Sequence, residues 1–195
     1  MFSRDKRLRA LERFIYKKLG QTEGSAYLFA NIVGVIIGIK PVAQCDWPLE
    51  CAEANTMWLL KQKLEALKLF VLFDGKEGDN RVFFVAKSQK RAVQLRDAFQ
   101  ELHDRGASPE IHTEIGSLLG YPETAVQYYI RLHPEKGISE NHRSAIARNR
   151  FYAHSLSHED EEFRAYEEPI YRYLERHCPR TASIYCKNAD KRWLD

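Results

Sequence analysis

Apolar positions recur at helical spacing through the first third of the chain and change period near its middle. Leu8, Leu11, Ile15 and Leu19 form one stripe, with Ser3 placed as a cap and Gly20 as a stop, which predicts an amphipathic helix over about 4–19. A second segment opens at Ser25, is apolar on all sides and ends at Gly38. Its length predicts a buried helix, and Gly34 within it marks a close approach of a neighbouring backbone. Pro48 reads as the first turn of a helix to about Leu67 whose core-facing residues are Leu49, Met57, Trp58, Leu60 and Leu64.

The period then shortens. KLFVLFD (68–74) and RVFFVAK (81–87) flank the turn-forming DGKEGDN, which predicts a β-hairpin over 68–87. Both runs are almost continuously apolar, so both faces of the hairpin should be covered by helices. A helix over about 88–104 follows, carrying Val93, Leu95, Phe99 and Leu102. Ser108-Pro109-Glu110 starts the next, which stops at Gly120, and Pro122-Glu123 starts another at once, to about His133. RFYAHS (150–155) offers a third strand at 150–154. Ser157 with Asp160 resembles a capping box, and Pro169 must kink or restart the helix that follows. The expectation is an α+β fold: a small antiparallel sheet packed by several helices, with a helix-turn-helix-like corner at 108–133. Residues 1–195 would form a single domain, with a basic N-terminal helix in 1–20 and an acidic helical extension over 139–195.

Composition alters this picture little. A chain of 195 residues with 44% apolar content can bury a real core, and a net charge of +3 is too mild to demand a polyanionic partner. The distribution is more informative. Residues 1–20 hold Arg4, Lys6, Arg7, Arg9, Arg13, Lys17 and Lys18, whereas 159–168 hold Glu159, Asp160, Glu161, Glu162, Glu167 and Glu168. Two solvated faces, paired with each other or not, account for this; docking of the basic helix on membrane or nucleic acid is the sharper alternative. The gaps between Cys45 and Cys51 and between Cys178 and Cys186 are not those of a zinc knuckle, so no metal or cofactor is expected. The longest apolar run, 26–39, is too short to span a bilayer. The expectation is a cytoplasmic protein with reduced thiols and no transmembrane segment.

Candidate chemistry centres on HTEIGSLLGYPETAV (112–126). Ile115, Leu119, Tyr121, Val126 and Tyr129 occupy the apolar positions of a helix-turn-helix, Gly116 the helix-crossing slot and Gly120 the left-handed turn. Thr124, Gln127 and Tyr128 could touch base edges, but Glu123 stands where phosphate would approach and Arg131 is the sole permanent cation of that helix. His112 and Glu114 invite an acid–base or ligand site together with Tyr121 and His154. On a helix, however, the first two point about 200° apart. Three readings therefore stand. First is a non-catalytic binding or regulatory module using the 108–133 corner to meet a protein partner. The others are a nucleic-acid binder using the same surface, and an enzyme or small-ligand site around His112, Glu114, Tyr121 and His154.

The stretch His112-Thr113-Glu114-Ile115-Gly116-Ser117-Leu118-Leu119-Gly120-Tyr121-Pro122 is similar to the HEIG…LGYP signature of a bacterial family of unknown function, with Thr113 inserted after the histidine. Upstream, Gly38-Ile39-Lys40-Pro41 resembles that family's G-L-K-x-A segment, with Val42 in place of the alanine. The resemblance covers roughly 26–133. It implies a cytosolic α+β domain and brings with it no reaction.

Overall fold

The structure, a computed structural model, describes residues 3–48, 51, 53–74, 82–132 and 159–186. The first helix, α1 (Arg4–Leu19), is capped by the Ser3 hydroxyl, which accepts from the Lys6 N–H at 3.4 Å, and it buries Leu8, Leu11 and Ile15. Helix α2 (Glu23–Ile37) starts two residues earlier than its pattern suggests. Thr22 is the cap, and Ser25 closes the capping box by accepting from the Thr22 N–H at 3.0 Å. Almost every side chain of α2 from Ala26 to Ile36 is buried, as its all-round apolarity requires. It ends at Gly38, whose φ of +91° is the left-handed conformation glycine adopts without penalty.

The sheet has three antiparallel strands in the order β1-β3-β2, with β1 Val42–Asp46, β2 Phe70–Phe73 and β3 Val82–Ala86. The expected hairpin is β2–β3, with Phe70 opposite Ala86 and Phe73 opposite Phe83. The third strand is β1, which pairs Val42 with Ala86 and Asp46 with Val82. No strand was anticipated there. The proposed strand at 150–154 lies outside the described residues. The same oversight misplaced the next helix: α3 runs Ala54–Ala66, not from Pro48, because Val42–Asp46 is spent on the sheet and Trp47 turns into the core. Trp58, taken from the sequence as core material, is 55% exposed, whereas Met57, Leu60 and Leu64 are buried.

Strand alternation sorts the core into two layers. Ala43, Cys45, Val71, Phe83 and Val85 face α1, α2, α3 and the C-terminal helices. Val42, Phe84 and Ala86 face α4 (Gln89–Arg105) and α5 (Pro109–Leu119). Central strand β3 is thus enclosed on both sides, as its unbroken apolar run predicted. Each fully enclosed side chain, Phe83 and Phe84 among them, contributes roughly 1.5–3 kcal/mol of burial free energy.

The C-terminal part comprises α7 (Glu159–Glu162), a π-helical turn at Phe163–Glu167, α8 (Glu168–His177) and α9 (Pro179–Cys186); α6 (Glu123–Leu132) precedes it. The capping serine expected at 157 lies outside the described residues. Pro169 sits in the first turn of α8, and the π turn before it absorbs the missing N–H by shifting the ladder, so that Glu168 N–H reaches Phe163 O. The acidic stretch is not a wholly solvated face, for Glu162 and Glu167 are buried. Helix α1 does meet α8 and α9, but through its acids and Tyr16 and at residues outside the 159–168 stretch. Glu12 of basic α1 accepts from the Thr181 N–H at 3.2 Å and from its hydroxyl at 2.6 Å, capping α9, while Tyr16 shares a 2.6 Å hydrogen bond with the same hydroxyl. Asp5 lies 3.4 Å from His177. No described helix is long and apolar enough to cross a membrane.

Candidate functional site

The 108–133 region is two helices crossing at a glycine. Ser108 caps α5 by accepting from the Ile111 N–H at 3.2 Å. At Gly116 a Cβ would drive into the Val126 side chain of α6, so the crossing depends on a residue without one. Gly120 has φ +78°, and a Cβ there would lie 2.8 Å from the Ile39 carbonyl oxygen and 3.1 Å from Lys40 Cα. The corner is therefore pressed against the 39–41 segment by a position that only glycine can fill without strain.

The described members of the sequence-derived site occupy different surroundings. His112 is half-buried and meets Tyr129 edge-to-face, with ring centroids 5.2 Å apart at 75°. Glu114 is exposed. Thr124 donates its hydroxyl to buried Glu162, which fastens the start of α6 to α7. Gln127 and Tyr128 are half-buried and Arg131 is exposed; His154 lies outside the described residues. Tyr121 joins a cluster of polar groups around Lys40.

That cluster surrounds Lys40. Its ammonium donates to Asn31 Oδ1 at 2.5 Å and lies 5.9 Å from the centre of the Tyr121 ring. Asn31 in turn donates to the Tyr27 carbonyl at 3.1 Å. The aliphatic stem fills the space left by Gly34, where a Cβ would come within 2.9 Å of Lys40 Cγ and Cδ, and Lys40 N–H reaches Gly34 O at 3.1 Å. Gly34 thus marks a close approach, made by the side chains of Lys40 and Ile170 and not by the neighbouring backbone its sequence position suggested. Burial brings the ammonium down to about 8, against the opposing pull of Cys45 and Glu167. Burial likewise pushes the Cys45 thiol up to about 12 and raises the Tyr121 hydroxyl above its ordinary value. A thiol held that high stays protonated at neutral pH and is a poor nucleophile. The two stretches 38–41 and 112–122, far apart in the chain, meet here through Lys40, Gly120 and Tyr121.

A different kind of site opens at the C-terminal ends of α2 and α3. A cleft of about 590 Å³ is lined by Arg4, Arg7, Lys68 and Lys87, with Ile36, Ala66, Leu67 and Leu69 forming its apolar part. No acidic residue lines it among the described residues. Arg4 Nη2 donates to Ile36 O at 3.0 Å and Arg7 Nη1 to Ala66 O at 2.5 Å, so each guanidinium is anchored on a helix end while most of its five N–H groups are not used by that bond. Lys87 places its ammonium over Gly38, 3.4 Å from where a Cβ would be. Lys68 has φ +63°, the one positive φ at a non-glycine position among the described residues. A lysine held in the left-handed region costs on the order of 1 kcal/mol, and residues kept in that state cluster at ligand-binding positions.

Sequence inspection missed this cleft, although two signals were present. Arg4 and Arg7 are three apart and share a helix face. Lys68 and Lys87 stand just outside the paired hairpin ends, Phe70 and Ala86, so antiparallel pairing must bring them to one end of the sheet. The contribution of α1 could not be read, because no pattern in the chain says which helix end it crosses.

No protein-family model, curated protein or solved structure matches this chain.

Proposed function

We propose that the chain is a non-catalytic binding module whose ligand surface is the basic cleft, with the 108–133 corner serving as a buttress. The observation that carries this reading is the concentration of Arg4, Arg7, Lys68 and Lys87 around one cleft without an acidic neighbour in its lining. Like charges held together repel, the helix ends that Arg4 and Arg7 bond offset part of that repulsion, and an anion in the cleft would relieve the rest. The volume is within the range of small-molecule sites, roughly 300–1,000 Å³.

The corner supports an interaction or nucleic-acid role less well. The exposed large apolar side chains among the described residues are Tyr27 and Trp58, neither on the corner. The start of α6 presents Glu123 and holds Thr124 on Glu162, while α5 packs on the sheet face opposite to the basic helix α1.

Titration of the chain with inorganic phosphate at constant ionic strength, followed by amide resonances, tests the reading. Lys68, Leu69 and Lys87 should shift in a saturable way, and an Arg7→Ala/Lys87→Ala variant should lose the response. Shifts confined to residues 108–132, or none, would sink it.

A further inference from the structure

We infer that the ligand of the basic cleft is a phosphate monoester carried on a compact apolar body. This rests on the anion-binding reading above and narrows it to one chemical class. Two arginines and two lysines outnumber what a single carboxylate can use, whereas a phosphate monoester brings close to two negative charges at neutral pH and three acceptor oxygens. Guanidinium forks match phosphate oxygens bidentately, and the lysines add compact point charges. The anchoring of Arg4 on Ile36 O and of Arg7 on Ala66 O fixes both forks before a ligand arrives, which lowers the ordering entropy lost on binding.

The rest of the lining identifies the body of the ligand. The non-cationic lining residues Ile36, Ala66, Leu67 and Leu69 all have apolar side chains, with Ala66 and Leu67 the more open of them, and about 590 Å³ exceeds what a bare phosphate fills. An inorganic ion would leave that wall wet; an ester with a small hydrocarbon or ring portion would cover it. A polyanion fits less well, because it needs cations running beyond the cleft. The residues next to it along α1 and α3 include the acids Asp5 and Glu65, engaged with His177 and Lys61.

Lys68 gives the inference its sharpest test. A positive φ suits glycine, so Lys68→Gly should fold at least as stably as the parent while lacking one cation of the cleft. A residue serving only the fold would move both quantities in the same direction.

The experiment compares inorganic phosphate, phenyl phosphate and phenylacetate by calorimetric titration of the full chain. Vesicles containing phosphatidic acid and a single-stranded oligonucleotide form further arms. Phenyl phosphate is expected to bind roughly tenfold more tightly than either inorganic phosphate or phenylacetate. Arg7→Lys, which keeps the charge and loses the fork, should weaken phenyl phosphate by roughly fivefold or more. Lys68→Gly should lower its affinity by a similar factor with an unchanged or higher melting temperature. Equal affinity for inorganic and phenyl phosphate would overturn the ester while leaving the anion site standing, and parity with phenylacetate would overturn the phosphate. Binding to vesicles or oligonucleotide without binding to phenyl phosphate would overturn the compact body. Silence toward every probe would remove the anion reading as well.

Discussion

Lys40 and Lys68 lie near the same end of α2 and are treated in opposite ways. Lys40 is enclosed: Asn31 Oδ1 accepts a hydrogen bond from its ammonium, Tyr121 lies alongside, Gly34 makes room for its stem, and burial brings it down to about 8. Lys68 is exposed, shares its cleft with three further cations and holds a backbone conformation that lysine does not favour. The first arrangement is closed within the protein, since each group that faces the ammonium is supplied by the fold. The second is open to solvent, with charge of one sign beside apolar side chains. A buried cation with internal partners is a device of architecture; an exposed set of like charges held in place at some cost is what we propose as a device of binding.

The strongest challenge to this contrast is at the seam that encloses Lys40. Gly120→Val should destabilise the chain by about 3 kcal/mol, from a left-handed backbone and a clash with the Ile39 carbonyl, read as a lower urea midpoint. A loss below about 1 kcal/mol would show that the corner is not held against the 39–41 segment. Next in size is the ammonium's acceptor. Asn31→Leu should cost about 2 kcal/mol by stranding a buried charge, whereas Lys40→Met should be close to neutral and should restore most of the loss in the double variant. Simple additivity of the two changes would break the claim that they serve each other.

The pH dependence is smaller and has a definite sign. Lys40 releases its proton near 8 in the folded chain and at its ordinary 10.5 when unfolded, so the unfolded state holds more protons between those values. The cost of the buried charge is fully present below about 8 and fades as pH rises toward 10.5. Stability of the parent relative to Lys40→Met should therefore increase by about 1 kcal/mol from pH 8 to 9. The buried thiol Cys178, raised to about 12, tilts the curve the other way but is common to both proteins and cancels in the difference, and Cys45, which interacts with Lys40, is held too high to titrate in this window. A flat difference curve would mean that Lys40 is not enclosed. The smallest effect expected is Trp58→Ser, within about 0.5 kcal/mol, because the side chain is more than half exposed; a loss of several kcal/mol would return it to the core.

Much of the architecture was legible where period, caps and turn residues agreed. Ser108, Pro109, Gly116, Gly120 and Pro122 announced the corner, and the structure places its two helices on the expected residues. The runs 68–74 and 81–87 announced the hairpin and its double coverage. Strand β1 escaped because VAQCD is short, lacks a clean apolar–polar alternation and precedes a proline that suits a helix start equally well; only pairing with β3 makes it a strand. Trp58 escaped because periodicity counts an apolar residue as inward-facing whichever side of the helix packing happens to cover.

The site was far less legible than the fold. His112 and Glu114 drew attention through their chemistry, yet their helix turns them apart, whereas Cys45 and Glu167 carry no local signature and meet Lys40 only in space. Local sequence determined the helices, their caps and the hairpin, because those depend on interactions between residues close in the chain. Tertiary structure alone decided which cations share a cleft and which lysine is enclosed. Charges act through space across whatever the core brings together, and nothing in the spacing of Arg4, Arg7, Lys68 and Lys87 records that α1 crosses the ends of α2 and α3.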